Sequence, residues 1–193
     1  NSIYFLRQTL KDSEDKVKRH LEILDQQVET GTHLVASILD FARPQEPAFY
    51  PVSLNQVIQQ ALKRVPLTQE VEVAMILDPN LPSISGDVHL LMQVFINLIY
   101  NASQAMPQGG KITLKTRAED NLAVAEVQDT GVGMEPEFLK NLFQPFHSGK
   151  PRGMGLGLTI SKDTIEKHGG HIQVQSKTGE GSTFIISFPI KIA

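Results

Sequence analysis

Four short motifs rich in amide, carboxylate and glycine residues follow one another in the second half of this 193-residue chain. They are Asn97-x-x-x-Asn101, DTGVGM at 129–134, GMGLGL at 153–158 and GEGSTF at 179–184. Such residues can offer oxygen ligands to a hydrated cation, acceptors to a base, and backbone N–H groups to phosphate. Their order along the chain therefore indicates a nucleotide site.

The two asparagines are four residues apart, so on a helix they project from the same side. Gln93 and Gln104 extend this polar stripe. Amide oxygens are hard donors that suit Mg²⁺, which keeps several waters and needs few protein ligands. A pair of asparagines is equally compatible with a solvated helix face, and only the downstream motifs favour the metal.

Asp129 follows a predicted strand and precedes Gly131 and Gly133. A carboxylate only accepts hydrogen bonds, so it would suit the exocyclic amino group of adenine. The glycines would let a flat ring approach the backbone. Taken alone, an Asp-x-Gly run also fits an ordinary turn.

Gly153, Gly155 and Gly157 stand at the start of a helix predicted over about 156–167. Free N–H groups and the positive end of the helix dipole favour phosphate there. Three alternating glycines cost backbone entropy, so a simple loop explains them poorly. The pattern is neither the P-loop GxxxxGK[ST] nor GxGxxG, and the sequence lacks those signatures.

Composition limits the remaining possibilities. The net charge of −3 provides no basic field for nucleic acid, and the absence of cysteine excludes disulfides and thiolate metal sites. No apolar run approaches the roughly 18 residues of a membrane span, and no signal peptide is recognisable. We expect a cytoplasmic location without membrane contact from this segment.

Residues 1–43 form a distinct segment with a heptad pattern that predicts a long amphipathic helix. The apolar seam consists of Val17, Leu21, Leu24, Val28, Gly31, Val35, Ile38 and Ala42. A shorter apolar run lies upstream, and the polar stretch at 11–15 predicts a turn of an antiparallel hairpin. Two copies would form a dimeric four-helix bundle. Packing of a single helix on its own domain is the alternative.

Prolines mark 44–52 as a linker, and a second domain is predicted over 53–193. Ser53 and Asp87 are predicted helix N-caps. The predicted elements are helices after each cap, a strand at 71–77, a loop at 78–86, strands at 111–117 and 122–128, the helix at 156–167, and strands at 171–176 and 183–189. This order predicts an α+β fold, a two-layer sandwich with helices on one face of a mixed sheet.

From about Ser53 onward, the chain resembles the catalytic ATP-binding domain of sensor histidine kinases, within the superfamily that includes gyrase, the Hsp90 chaperones and MutL. NLIYNASQAM (97–106) is similar to the N box, DTGVGM to the G1 box and LFQPF (142–146) to the F box. GMGLGL is similar to the G2 box, and GEGSTF to a further glycine box. Residues 1–43 resemble the dimerisation and phosphotransfer hairpin of the same kinases.

The resemblance implies a role for individual residues toward ATP and Mg²⁺. Asn101 would bind the metal with Asn97 beside it, and Asp129 would hold the adenine amino group. The other implied nucleotide-binding residues are Gly131, Gly133, Phe143, Phe146, Gly153, Gly155, Leu156, Gly157, Leu158 and Thr183. Phe143 and Phe146 would latch a lid formed by about 144–155.

Two positions depart from the family pattern. ATP-hydrolysing relatives have a water-activating Glu where this chain has Asn97, and an amide is no general base. Transfer to an acceptor other than water is therefore favoured. Gln104 occupies a position that is basic in many histidine kinases. Lys150 or Arg152 could supply that charge, although an exposed lysine is often simply solvated.

The phosphoaccepting histidine box of the family is absent, because none of the six histidines has its context. We expect the chain to begin just after its acceptor and not to phosphorylate itself. In the intact kinase, the acceptor histidine would pass the phosphoryl group to an aspartate of a response-regulator receiver domain. The alternatives are an ATPase of the same superfamily and a non-catalytic dimerisation or docking module.

Overall fold

A computed structural model describes residues 46–149 and 155–190, together with nine positions near the start of the chain. Those nine are Leu6, Val17, Arg19, His20, Leu21, Ile23, Leu24, Val28 and Gly31. The chain divides into two compact units, Asn1–Pro44 and Gln45–Ala193. Within the described part of the chain, no helix has the length and apolar character needed to cross a bilayer.

The described residues of the first unit are all helical. They include five members of the heptad, of which Leu21 is buried, whereas Leu24 and Val28 are about half exposed. The predicted turn at 11–15 and the seam residues Val35, Ile38 and Ala42 lie outside the described residues. The hairpin and the four-helix bundle remain predictions.

The second unit is an α+β domain built on a mixed five-stranded sheet. Its elements are β1 (Tyr50–Val52), α1 (Leu54–Leu62), β2 (Val71–Ile76), β3 (Ile84–Gly86), α2 (Val88–Gln104), β4 (Gly110–Glu119), β5 (Leu122–Asp129), α3 (Pro136–Leu139), α4 (Gly157–Lys167), β6 (His171–Lys177) and β7 (Gly181–Pro189). The strand order is β2-β4-β5-β7-β6. β2 runs parallel to β4, and the other neighbours are antiparallel.

One face of this sheet carries the core. Alternate strand residues such as Leu114, Val127 and Phe184 form a cluster with the apolar sides of α1, α2 and α4. Phe95 on α2 is fully buried in it. A large apolar side chain stabilises the fold by roughly 1.5–3 kcal/mol when it is buried. The predicted fold class, with helices on one face of a mixed sheet, is confirmed for this unit.

Both predicted N-caps are present. The Ser53 hydroxyl accepts from the Gln56 N–H at 3.5 Å, and helix α1 begins at the next residue. At α2, one carboxylate oxygen of Asp87 accepts from the N–H groups of His89 and Leu90 at 2.9 and 3.2 Å. These bonds satisfy donors that a helix leaves unpaired at its start.

A two-stranded sheet was missed by the sequence analysis. Strand β1, inside the predicted linker 44–52, pairs antiparallel with β3, inside the predicted loop 78–86. Each strand has only three residues, and β1 contains Pro51, which cannot donate to a ladder. A period of two is not recognisable over so short a run.

His168 ties the end of α4 to the start of α2. The residue is the C-cap of α4 and is buried. Its Nδ1 contacts the Thr164 carbonyl oxygen at 2.7 Å, and its Nε2 accepts from the Asp87 N–H at 2.9 Å. Because Nε2 accepts, Nδ1 is the nitrogen that donates.

Candidate nucleotide site

The two asparagines predicted from the sequence lie together on α2, facing the start of α4. The Asn101 side-chain N–H donates to Asn97 Oδ1 at 3.3 Å. Asn97 Nδ2 in turn donates to the hydroxyl of Ser161, a buried residue of α4, at 2.9 Å. Both polar atoms of Asn97 are therefore hydrogen-bonded, Oδ1 within α2 and Nδ2 across to α4.

Asp129 ends β5 on the helix-covered side of the sheet and is only 3% exposed. Its Oδ1 atom accepts from the N–H of Gly131 at 2.8 Å and from the N–H of Ser182 on β7 at 3.3 Å. Two backbone donors on separate segments thus fix the carboxylate. A buried carboxylate held in this way is pre-organised to accept from a ligand.

The two glycines that follow are required by close contacts within the protein. A Cβ atom at Gly131 would lie 2.5 Å from the Ala105 carbonyl oxygen, just after α2. One at Gly133, where φ is +65°, would lie 2.0 Å from the carbonyl oxygen of Lys177 on β6. Val132 donates to that same Ala105 oxygen at 3.1 Å. The segment is therefore clamped between α2 and the β6–β7 turn, and contact of these glycines with adenine stays a prediction.

Helix α2 connects the two ends of the site. Asn97, Asn101 and Ala105 are spaced at four-residue intervals and so follow one side of the helix. The first contacts α4, and the last contacts the DTGVGM segment. At 1.5 Å per residue, these two contacts are about 12 Å apart along the helix.

The start of α4 is packed tightly around two of the predicted glycines. A Cβ atom at Gly155, where φ is +68°, would lie 2.5 Å from backbone atoms of His147, and one at Gly157 would lie 2.5 Å from Asn97 Oδ1. Leu156 is buried, and Leu158 packs against the core. The N-cap position belongs to Leu156, whose side chain makes no capping bond to the backbone donors of the first turn.

Phe143 and Phe146 have different surroundings. Phe143 packs against the core, its carbonyl accepts from the Thr159 hydroxyl at 3.1 Å, and Lys162 Nζ lies 5.6 Å from its ring centre. Phe146 is 71% exposed and has a φ of +62°. Of the two predicted latch residues, only Phe143 is packed inside. Lys150, Arg152 and Gly153 lie outside the described residues.

Strand alternation separates Thr183 from the predicted adenine end. Asp129 pairs with Ser182 across β5 and β7, so those two share the helix-covered face. Thr183 pairs with Gln128 and belongs to the opposite face. Sequence reasoning selected Thr183 and missed Ser182 and Ser161. Counting residues in steps of two from the apolar Phe184 would have identified Ser182.

The arrangement fits a magnesium–nucleotide complex. One end has a buried carboxylate, and the other has two asparagine side chains beside the start of an eleven-residue helix. Mg²⁺ prefers oxygen ligands and accepts a site in which phosphates and water complete its shell. A helix start favours phosphate through its N–H groups and dipole.

Comparison with known proteins assigns the family. Residues 86–192, more than half of the chain, match the family described as "Histidine kinase-, DNA gyrase B-, and HSP90-like ATPase". Sporulation kinase C of Bacillus subtilis (strain 168) is 32% identical over 189 residues, which cover 95% of this chain and 44% of that protein. The signal transduction histidine-protein kinase AtoS of Escherichia coli (strain K12) is 32% identical over 192 residues, covering 97% of this chain and 31% of AtoS.

A solved structure shows the same likeness. The crystal structure of full-length ShkA in complex with AMPPNP superposes with a TM-score of 0.75 at 26% identity, covering 95% of this chain and 41% of ShkA. The chain spans less than half the length of the curated relatives named above. It belongs to the histidine kinase-, gyrase B- and HSP90-like ATPase family, as a catalytic ATP-binding domain of the sensor histidine kinase type.

Proposed function

We propose that this chain is the catalytic part of a cytoplasmic sensor histidine kinase that binds ATP with Mg²⁺ and directs the γ-phosphoryl group to a histidine. That histidine would pass it to an aspartate of a response-regulator receiver domain. Residues 1–43 would form the dimerisation hairpin, 44–52 the linker and 53–193 the catalytic domain. The chain by itself would bind ATP without phosphorylating itself.

We assign each site residue a proposed role. Asp129 would accept from the adenine amino group, and Asn101 would ligate Mg²⁺ through Oδ1. The metal would neutralise charge on the phosphates, which together with positioning supplies most of phosphoryl-transfer catalysis. Backbone N–H groups at the start of α4 would bind phosphate oxygens. Lys150 would add a positive charge beside them.

The observation that carries the proposal is the bonding of Asn97. A hydrolase needs a base to activate water, and an amide has no proton affinity near neutral pH. Here both polar atoms of that amide are already bonded to Ser161 and Asn101. This position therefore braces α2 against α4, which supports transfer to a protein acceptor over hydrolysis.

The test uses γ-labelled ATP with Mg²⁺ on this chain and on a version extended upstream through an acceptor histidine. Protein-bound label and free phosphate are scored separately, with Asn101→Ala in both versions as the matched control. We expect acid-labile label on the longer chain alone, lost in the control. Free phosphate released by both versions would identify an ATPase instead, and neither product would leave a docking module.

A further inference from the structure

Three polar side chains form a row across three neighbouring strands at the predicted adenine end. Ser176 on β6 pairs with Ser182 on β7, and Ser182 pairs with Asp129 on β5. Residues directly opposite one another in a sheet point to the same face, so all three lie on the helix-covered side. Asp129 and Ser182 are both buried, and Ser176 is partly buried.

Hydrogen-bond accounting fixes the direction of each bond in this row. The Ser176 hydroxyl donates to the Gly181 carbonyl oxygen at 2.9 Å. The two serine hydroxyl oxygens are also 2.9 Å apart. A hydroxyl has one hydrogen, and that of Ser176 is already used, so Ser182 is the donor to Ser176.

This direction determines what Ser182 can offer to a ligand. Because its hydrogen points to Ser176, its oxygen retains only lone pairs for any other partner. The Asp129 carboxylate beside it is likewise an acceptor. Toward any further partner, Ser182 and Asp129 therefore offer only acceptors.

We infer that Ser176 is a positioning residue that holds Ser182 as an acceptor and so makes the site select a 6-amino purine over a 6-oxo purine. The inference rests on the proposed function, since it requires that the base lie beside Asp129. A 6-amino group supplies hydrogens to acceptors. A 6-oxo group meets lone pairs, and burying polar groups without partners is costly.

Removing the Ser176 hydroxyl releases the hydrogen of Ser182. The Ser182 side chain can then rotate and donate to a 6-oxo group, which the wild-type row prevents. Asp129 continues to oppose the 6-oxo group, so selectivity decreases without disappearing. A hydrogen bond contributes about 1 kcal/mol net, which corresponds to roughly a fivefold change in affinity.

The experiment measures dissociation constants of ATP and of inosine triphosphate, its 6-oxo analogue, by calorimetry on the whole chain. Ser176→Ala is compared with Ser176→Thr, which keeps the hydroxyl. Ser187→Ala is the matched control, because Ser187 lies on β7 but pairs with His171 and Val124 and belongs to the opposite face. The readout is the ratio of the two constants, which a general loss of stability does not change.

We expect Ser176→Ala to reduce the preference for ATP by about fivefold, while Ser176→Thr and Ser187→Ala keep the wild-type ratio. An unchanged ratio in Ser176→Ala, including an equal loss of affinity for both ligands, would overturn this inference but not the proposed function. If the wild-type chain binds neither nucleotide, the proposed function fails and this inference fails with it.

Discussion

Single residues of the DTGVGM segment are constrained mainly by neighbouring backbone. A Cβ atom at Gly133 would lie 2.0 Å from the carbonyl oxygen of Lys177, a backbone atom at the end of β6. Gly179, in the adjacent β6–β7 turn, also has a positive φ, but a Cβ atom there would meet nothing within 4 Å. Substitutions at these two glycines therefore distinguish the cost of a steric clash from the cost of a left-handed backbone.

Gly133→Ala is expected to lower the free energy of unfolding by about 3 kcal/mol or more, because the loop must leave its contact with β6. Gly179→Ala should cost only about 1 kcal/mol for its left-handed backbone. Urea denaturation of both variants measures the difference. Equal losses would show that the contact with Lys177 contributes nothing.

Asp129→Asn tests the predicted adenine contact. The amide oxygen can still accept from Gly131 and Ser182, so the fold should be retained, but an N–H group replaces the second acceptor. We expect ATP affinity to fall by about 10–100-fold, the value of a hydrogen bond to a charged group. Calorimetric titration with ATP measures it, and tight binding by the variant would move the adenine contact elsewhere.

The residue types in the sequence indicated the chemistry of this site better than they indicated which side chains pack around it. Asp129 and Asn101 could be proposed from the sequence because a carboxylate after a strand and amides at a four-residue spacing are recognisable patterns. Ser161 and Ser182 were missed because a serine is unremarkable alone, and its importance comes from packing against α2 and β5. Only the folded arrangement brings those elements together.

At the scale of elements, α2 is fastened to α4 at two points. Asn97 bonds to Ser161 near the start of α4, and His168 at its end accepts from the Asp87 N–H at the start of α2. The helices are therefore antiparallel neighbours held by polar contacts at both ends. This pairing gives the asparagine row a fixed position relative to the predicted phosphate end.

The Asp87 cap should make stability depend on pH. Desolvation raises its pKa, but backbone N–H groups of Ala48, Leu90 and His89 outweigh it and hold the pKa below the usual value. A lowered folded-state pKa contributes stability that is present above the unfolded pKa of about 3.9 and is lost as the pH falls through the folded pKa.

Asp87→Asn should therefore be less stable than wild type by about 1 kcal/mol at pH 7, with a gap that narrows as the pH falls below about 4. Urea denaturation across that range measures the gap. Ser53→Ala removes the uncharged cap of α1 and should give a loss that does not vary with pH. A gap for Asp87→Asn that stays constant would contradict the prediction.

At the scale of the molecule, the layers were predictable because α1 and α2 have strongly periodic apolar faces and β4 alternates between apolar and polar residues. The β1–β3 pair was not, since it consists of two three-residue strands that lie far apart in the sequence. Secondary-structure propensity depends on residues that are close in sequence, whereas this two-stranded sheet joins segments that are far apart in it.

A buried polar network joins α1, β4 and the segment after β2. The Thr116 hydroxyl donates to Asn55 Oδ1 at 2.8 Å and accepts from the Asp78 N–H at 3.0 Å, while Asn55 Nδ2 donates to the Asp78 carbonyl oxygen at 2.7 Å. Thr116 is 6% exposed. One hydroxyl thus satisfies polar groups on two other segments.

Thr116→Val keeps the shape of the side chain but leaves those groups unsatisfied, which should cost about 1–3 kcal/mol. Thr113→Val is the control on the same strand, on the opposite face of the sheet, and should change stability by no more than about 0.5 kcal/mol. Thermal unfolding of both variants measures the effect. Similar small changes in the two would show that the network does not stabilise the domain.

The parallel pairing of β2 with β4 also has a consequence for the order in which the domain assembles. β2 lies at one edge of its sheet, and the connection from β2 to β4 contains β3 and α2. Closing that long connection costs conformational entropy before the β2–β4 contacts can offset it. In contrast, β4 and β5 are joined by a tight turn at Asp120 and Asn121. The hairpin can therefore form early, and β2 completes the sheet only after α2 has folded. Pulse-labelled amide exchange during refolding should protect β4 and β5 first and residues 71–76 last.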